Sequence, residues 1–242
     1  MGYNWNWGIF FEQSPEGDGT YLNMLFQGLL TTLEVAALAW LLAFTLGSLV
    51  GIARTLPGRV LPFVATCWVE LFRNIPLLIQ LFLLYFVLPE VVPAAWGTWL
   101  KQLPGAAFYT AVLGIGLFMS SRVAVQIAAG IGALPAGQRA AGSAIGLTTA
   151  QTYRYVFMPV AYRILTPTLT SELLNTIKNT SVALTIGLAE LTARARAMQE
   201  FSFQVFEAYT AATLAYVIVN LTATALARWL EQRTRIPGYS RA

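Results

Sequence analysis

An all-α, polytopic membrane protein with about five spans is the fold class this sequence predicts, and three observations carry it. Apolar residues make up 57% of the 242-residue chain and charged residues only 11%, whereas a soluble chain carries about a quarter charged residues. The apolar residues fall in long runs, each near the roughly 20 residues that a helix needs to cross the hydrocarbon core. Lysine and arginine, in turn, gather on one side of the loops that those runs define.

The first 21 residues, with Glu12, Glu16 and Asp18, read as an extracytoplasmic segment. A first span is expected over 22–53, with Glu34 its one charge. Glu34 reads as an interfacial or partner-facing residue. A second run covers 59–88 and is interrupted by Glu70, Arg73, Asn74 and Pro76. Proline removes a backbone donor and kinks a helix, which allows this run to split in two at Pro76. The third, 107–131, carries only Arg122. A polar connection, 132–163, leads to the fourth run, 164–188, the least apolar of the set, with Glu172 and Lys178. The fifth, 208–230, carries only Arg228. One membrane domain thus occupies 22–232, and 233–242 form a cytoplasmic tail.

Five spans place Arg54, Arg59, Arg139, Arg154, Arg163, Arg228, Arg233, Arg235 and Arg241 on one side, and Lys101, Arg194 and Arg196 on the other: nine against three. Basic loops face the cytoplasm, so the N-terminus is expected outside and the C-terminus inside. Trp5, Trp7, Trp96 and Trp99 then lie at the outer interface, where indole rings prefer to sit.

Several chemistries are excluded by inventory. With no histidine and Cys67 as the sole cysteine, neither a zinc site nor a His-based triad can be assembled. No phosphate-binding Gly-x-x-x-x-Gly-Lys-Ser/Thr occurs, so this chain does not itself hydrolyse ATP by that motif. The basic residues are scattered, which argues against nucleic acid. The internal repeat of many ion-coupled secondary transporters is not evident.

The connection 132–163 is too polar to span and too apolar for a disordered linker. It holds a small-residue stretch of good helix formers, Gly137-Gln138-Arg139-Ala140-Ala141-Gly142-Ser143-Ala144-Ile145-Gly146-Leu147, expected to end at Gly146. Alternating aromatic and basic residues follow in Gln151–Phe157, and then Pro159 and Pro167, which are expected to break the chain before the fourth span. Small residues let another protein approach closely, and the flanking aromatic and basic side chains suit an interface anchor.

Gly137 to Gly146 and Met158 to Ala161 resemble the EAA loop of ABC-transporter permeases, whose pattern is Gly-Gln-x-Glu-Ala-Ala-x-Ala-Leu-Gly followed by Leu-Pro-x-Ala. The family's glutamate falls here on Ala140. Glu70-Leu71-Phe72-Arg73-Asn74-Ile75-Pro76-Leu77-Leu78-Ile79-Gln80 and Lys178-Asn179-Thr180-Ser181-Val182 are similar to two signatures of the polar amino-acid branch. Gly28-Leu29-Leu30-Thr31-Thr32-Leu33 is similar to the opening of its first span. The third span and the Phe72-Arg73-Asn74 and Lys178-Asn179 variants look most like permeases for glutamate and aspartate. The family's glutamate and arginine in the third span fall here on Val125 and Ala128. The resemblance implies a bacterial inner-membrane permease, with no cofactor. It also implies three partners: an ATP-binding cassette ATPase dimer, an extracytoplasmic substrate-binding protein, and a second permease subunit, identical or homologous. Gln138, Ala141, Gly142, Gly146, Leu147 and Pro159 would be the residues that couple to the ATPase. The alternative within the branch is a permease for glutamine, histidine or arginine.

A charge at mid-membrane costs at least a few kcal/mol and needs a partner or a task. Counted at about 1.5 Å per residue, Glu70, Arg73, Arg122 and Lys178 lie roughly 14 to 21 Å deep. They are expected to share a polar chamber with surplus positive charge, which favours an anionic substrate. Two roles fit each. Glu70 and Arg73 either face substrate or pair with each other at i and i+3. Arg122 either grips a carboxylate or snorkels to the headgroups. Lys178, Asn179, Thr180 and Ser181 either contact substrate or bond between helices.

Overall fold

The structure, a computed structural model, describes residues 3–17 and 19–234. Met1, Gly2 and Asp18 lie outside the described residues, as do Arg235 and Arg241 of the basic tail. The described residues are helical and contain no strand, only an isolated bridge between Gln13 and Thr20. Three helices are each long and apolar enough to cross a membrane: α1 (Tyr21–Ala53) and two others, Ala106–Gly132 and Val205–Arg233. Helix α2 (Val60–Asn74) and the stretch Leu77–Val91 together pass the same test, and counted as one span they make a fourth.

Between those two pieces the chain breaks at the expected proline. Ile75 is extended, at φ −96° and ψ 128°, because the ring of Pro76 disfavours the helical region for the residue before it. Helix α3 (Leu77–Phe82) starts directly after Pro76. A π-helical turn over Leu83–Val87 then leads into α4 (Leu88–Val91), and α5 (Ala94–Gln102) follows. Next come α6 (Ala106–Gly132), α7 (Ala136–Ala144) and α8 (Thr149–Thr152). A second π-helical turn, Tyr153–Phe157, joins α8 to α9 (Met158–Asn179). The 22 residues of α9 suffice to cross by length. Arg163, Glu172 and Lys178, with its many hydroxyls, keep its hydropathy below that of the others. A 3-10 turn over Thr180–Ile186, α10 (Leu191–Ser202) and α11 (Val205–Thr234) complete the chain.

The prolines after the connecting loop do not break the chain. Pro159 is the second residue of α9 and Pro167 lies inside it. The π turn explains the first. A proline ring clashes with the carbonyl four residues earlier and cannot donate to it. Here the ladder widens by one residue, so that Met158 N donates to Tyr153 O instead. Pro89 stands in the same relation to the first π turn, where Leu88 N donates to Leu83 O. In both places a proline comes two residues after the turn ends.

Contacts divide the chain into two compact units, each assembled from three stretches. The first comprises 1–40, 76–116 and 175–222. Its apolar core joins Ile9, Met24, Leu25, Leu191, Met198 and Ala208. Glu190, fully buried, caps α10: its carboxylate accepts from Thr192 N at 3.0 Å, Ala193 N at 2.8 Å and Tyr216 Oη at 2.9 Å. Glu207, also fully buried, accepts from Tyr3 Oη at 2.5 Å and Asn6 N at 2.8 Å. The Gly28–Leu33 opening finds its physical role here. A Cβ on Gly28 would stand 2.7 Å from Arg194 Cγ and 3.0 Å from Leu191 Cα. Thr32 Oγ1 accepts from Leu191 N at 3.1 Å.

The second unit comprises 41–75, 117–174 and 223–242. Its centre is the contact of α1 with α6. Gly47 and Gly51, one helical turn apart, bring the two backbones together: a Cβ at Gly47 would stand 2.7 Å from Ser120 O, and one at Gly51 would stand 2.8 Å from Ala124 O. Glycine spaced in this way is a common device for close helix packing in lipid. Helix α2 is keyed to α6 by Trp68 Nε1, which donates to Ser120 Oγ at 3.2 Å. Helix α9 is seated where Gly130 leaves room for Leu165.

Substituting Gly51 by Val is therefore expected to lower stability by about 1–3 kcal/mol through overpacking. Gly132→Ala, where an added Cβ meets nothing within 4 Å, should leave it unchanged. Thermal unfolding midpoints of the purified protein in detergent compare the two; equal midpoints would rule out a close α1–α6 contact.

Candidate functional site

Glu70 and Arg73 lie exposed on the last turn of α2, just before the chain breaks. The i, i+3 pairing of these two does not form. Glu70 Oε2 instead accepts from Asn74 Nδ2 at 2.9 Å, one full turn away on the same face. Arg73 sits where the C-terminal end of a helix favours a cation. With its partner elsewhere, Arg73 presents its guanidinium outward.

Arg122 is held differently. Its Nε donates to Glu172 Oε2 at 2.7 Å and its Nη2 to Glu172 Oε1 at 3.1 Å, a two-toothed contact between α6 and α9. The Glu172 side chain is 5% exposed and that of Arg122 41%. The arginine therefore reaches from solvent-accessible space to a buried carboxylate, and it is not snorkelling free of the fold. Its fork uses two of five N–H donors, which leaves the outer edge able to meet a second acceptor. Glu172 was visible in the sequence only as one charge of the least apolar span. Its spacing from Arg122 gave no hint of the pair, because the two are fifty positions apart.

Of the second polar signature, Lys178 is exposed at the end of α9 and makes no ion pair among the described residues. Thr180 is buried and donates to Ile177 O at 2.7 Å, and Ser181 Oγ donates to Lys178 O at 2.8 Å. These two hydroxyls close the turn from α-helix to 3-10 helix, so their donors are committed to the backbone. Asn179 occupies the cap between the two. Glu70, Arg73 and Arg122 belong to the second unit; Lys178, Asn179, Thr180 and Ser181 belong to the first.

The expected short helix of the connecting loop forms as α7 and ends as foreseen. Gly146 adopts φ +79°, the left-handed conformation, and Leu147 N donates to Gly142 O at 3.0 Å while Ile145 N donates to Ala141 O at 3.2 Å. This is the glycine-dependent helix stop in which the chain doubles back over its last carbonyls. Thr148 and Gln151 then cap α8 reciprocally. Gly142 is buried because α8 rests on it: a Cβ there would stand 3.1 Å from Thr152 Oγ1. The next residue, Tyr153, donates through Oη to Thr55 O at 2.6 Å, just past the end of α1. Gln138 is half-buried, and Ala141 and Pro159 are exposed. Leu147 is half-buried beside the turn. The sequence did not reveal the Tyr153–Thr55 bond, although an aromatic within the π turn was in plain view.

Over residues 43–236 the chain matches the family of binding-protein-dependent transport system inner membrane components. It is 43% identical over 241 residues, 98% of each chain, to the glutamate/aspartate import permease protein GltJ of Escherichia coli K12. It is 30% identical to the glutamine transport system permease protein GlnP of the same strain, over 88% of this chain and 94% of that one. The crystal structure of an amino acid ABC transporter with histidines superposes at TM-score 0.75 with 30% identity, covering 88% of this chain and 95% of that one. The inward-facing MetNI methionine ABC transporter shares the fold at TM-score 0.74 and 18% identity, covering 88% and 97%.

Two outcomes are expected from this geometry. Glu172→Leu alone should destabilise by about 2–3 kcal/mol, less than a fully buried pair because Arg122 is partly solvated. Adding Arg122→Met should recover most of that loss. Unfolding midpoints of the two variants give the stability term, and a double variant that folds but does not transport would assign Arg122 a role beyond packing. Gly146→Val has open space for its side chain but forces a β-branched residue to positive φ, at a local cost of about 1–3 kcal/mol. Membrane insertion should survive and transport should be lost; normal uptake would count against any coupling role for α7.

Proposed function

Because the chain belongs to the family of binding-protein-dependent transport system inner membrane components, we propose that it is the permease subunit of an ATP-driven importer for glutamate and aspartate. The observation that carries the substrate assignment is the close, full-length likeness to a permease whose name states those two amino acids. Exposed cations within the apolar runs agree with it. Arg73 beside the α2 break and Lys178 at the end of α9 each offer an ammonium or guanidinium that no protein carboxylate claims among the described residues. Arg122 keeps an outer edge beyond its contact with Glu172, and Glu70, Asn179, Thr180 and Ser181 flank these groups in sequence. Glu172 halves the surplus of positive charge counted from the other four, from two to one. What favours an anionic substrate is thus the placement of the accessible cations rather than their number.

The chain holds no phosphate-binding motif, so ATP is hydrolysed by a cassette ATPase dimer docked against α7 and its flanks. Gln138, Ala141, Gly142, Gly146, Leu147 and Pro159 make or shape that contact. A second permease subunit completes the path, and a binding protein delivers the amino acid from outside. The N-terminus faces outward and the basic tail the cytoplasm, as the loop charges require. ATP-driven closure of the ATPase draws the two coupling helices together and tilts the spans, which opens the path outward. Hydrolysis resets it inward. The carboxylate of a passing substrate is met by Arg73, Lys178 and the outer edge of Arg122.

The reading is tested by reconstituting the complex with its binding protein and titrating ATPase activity with glutamate, aspartate, glutamine, arginine and histidine. Stimulation by the two acids alone is expected. Stimulation by one of the other three would keep the importer and replace its substrate, and stimulation by none would overturn the importer itself.

A further inference from the structure

A cavity of about 640 Å³ lies within the first unit, between the end of the broken span and the start of α6. Its walls are apolar, with Leu84, Leu88, Leu100, Leu103 and Leu113 among them. The size is that of a small-molecule site, and although Tyr85, Tyr109 and Thr110 add hydroxyls, the lining is mostly apolar, which suits an acyl chain better than a polar amino acid. The charged residues of its lining are Glu90 and Lys101, one of each sign, paired at 2.7 Å and both largely exposed. Trp99 belongs to the same lining, and Trp96, set edge to face with it at 6.3 Å, is likewise exposed on α5. Indole rings mark the headgroup level of a bilayer. The ion pair therefore lies where lipid phosphates lie, and the leucine wall lies where chains begin.

The arrangement is built rather than incidental. Helix α5 is pressed onto α4 at Gly97, where a Cβ would stand only 2.2 Å from Pro89 O, and this holds Lys101 against Glu90. The π turn at Leu83–Val87 supplies Leu84, Tyr85 and Phe86 to the same cavity, and such turns recur at functional sites. A helix of a second copy laid over this cleft would bury the ion pair and forfeit its hydration, which the Coulombic gain seldom offsets. A lipid headgroup leaves the pair in the wet interfacial layer and offers each charge its opposite.

We propose that this cleft is a phospholipid site, which takes an acyl chain along its leucine wall and a zwitterionic headgroup at Glu90 and Lys101. Lys101 meets the phosphate and Glu90 meets the ammonium. Glu90 accepts hydrogen bonds, so the site favours a primary ammonium, which has N–H donors, over a quaternary one, which has none. An anionic headgroup without an ammonium satisfies Lys101 but leaves Glu90 repelled.

The test uses the permease with its partner subunits in nanodiscs of equimolar phosphatidylethanolamine, phosphatidylcholine and phosphatidylglycerol, followed by native mass spectrometry of lipid retained after release. Retention of phosphatidylethanolamine about tenfold above each of the others is expected, as one charge-assisted contact implies. Glu90→Gln, a surface change, should erase the preference over phosphatidylglycerol. Leu113→Trp should fill the cleft and remove the retained lipid with the complex intact. Equal retention of the three lipids, or retention indifferent to both substitutions, would overturn the proposal. So would Thr98→Cys, exposed on α5 outside the cleft, cross-linking to another permease chain in place of photoactivatable phosphatidylethanolamine.

Discussion

Inside hydrocarbon no water is available to complete a peptide hydrogen bond, so every backbone donor and acceptor must be satisfied by the chain itself. That constraint reaches into each part of the molecule. It selects helices for the long apolar runs. It draws hydroxyls back onto their own ladders, as Thr45 does to Leu41 O at 2.8 Å and Thr170 to Thr166 O at 2.8 Å. Beyond the ends of the apolar runs the ladder is still kept closed, and Pro89 and Pro159 are admitted by widening it rather than by opening it. Burial inside the protein makes the same demand of Glu190, whose carboxylate takes the free amides at the start of α10.

Close helix packing follows from the same scarcity. Lipid gives helices no hydrophobic reason to associate, and contact area and polar bonds must hold them. Gly47 and Gly51 supply the first where α1 meets α6. Trp68–Ser120 and Arg122–Glu172 supply the second where α6 meets α2 and α9. The Arg122–Glu172 contact joins structure to chemistry most directly. Its carboxylate end is sealed in the protein while its guanidinium end remains accessible, so one residue can brace two helices and still present charge.

Much of this was legible in the sequence for one physical reason: in a bilayer, length and hydropathy speak plainly. The helical class, the break at Pro76 and the stop at Gly146 each rest on local chemistry that a single segment carries. The residues that the sequence does not announce act across distance. Glu172 looked like a cost to its span until Arg122 was seen opposite it, and Glu190 and Glu207 lie buried against partners that no periodicity announces. The pairing expected for Glu70 went to Asn74 because both i+3 and i+4 are within reach on a helix, and spacing alone does not rank them. Pro159 does not break the chain as a lone proline would, because a proline following a π turn is accommodated by it. The Gly47-x-x-x-Gly51 spacing, by contrast, marks the α1–α6 contact within a single segment.

The π turn at Tyr153–Phe157 also sets the helical phase of everything after it. One added residue rotates the following side chains by about 100° compared with an uninterrupted α-helix. The face of α9 that turns Glu172 toward Arg122 is therefore fixed fifteen residues upstream of Glu172, by an aromatic stretch that never touches the pair. Aligning this chain with a relative that lacks the turn calls for a one-residue gap there, and without it each position of α9 would be matched to the wrong side of the helix.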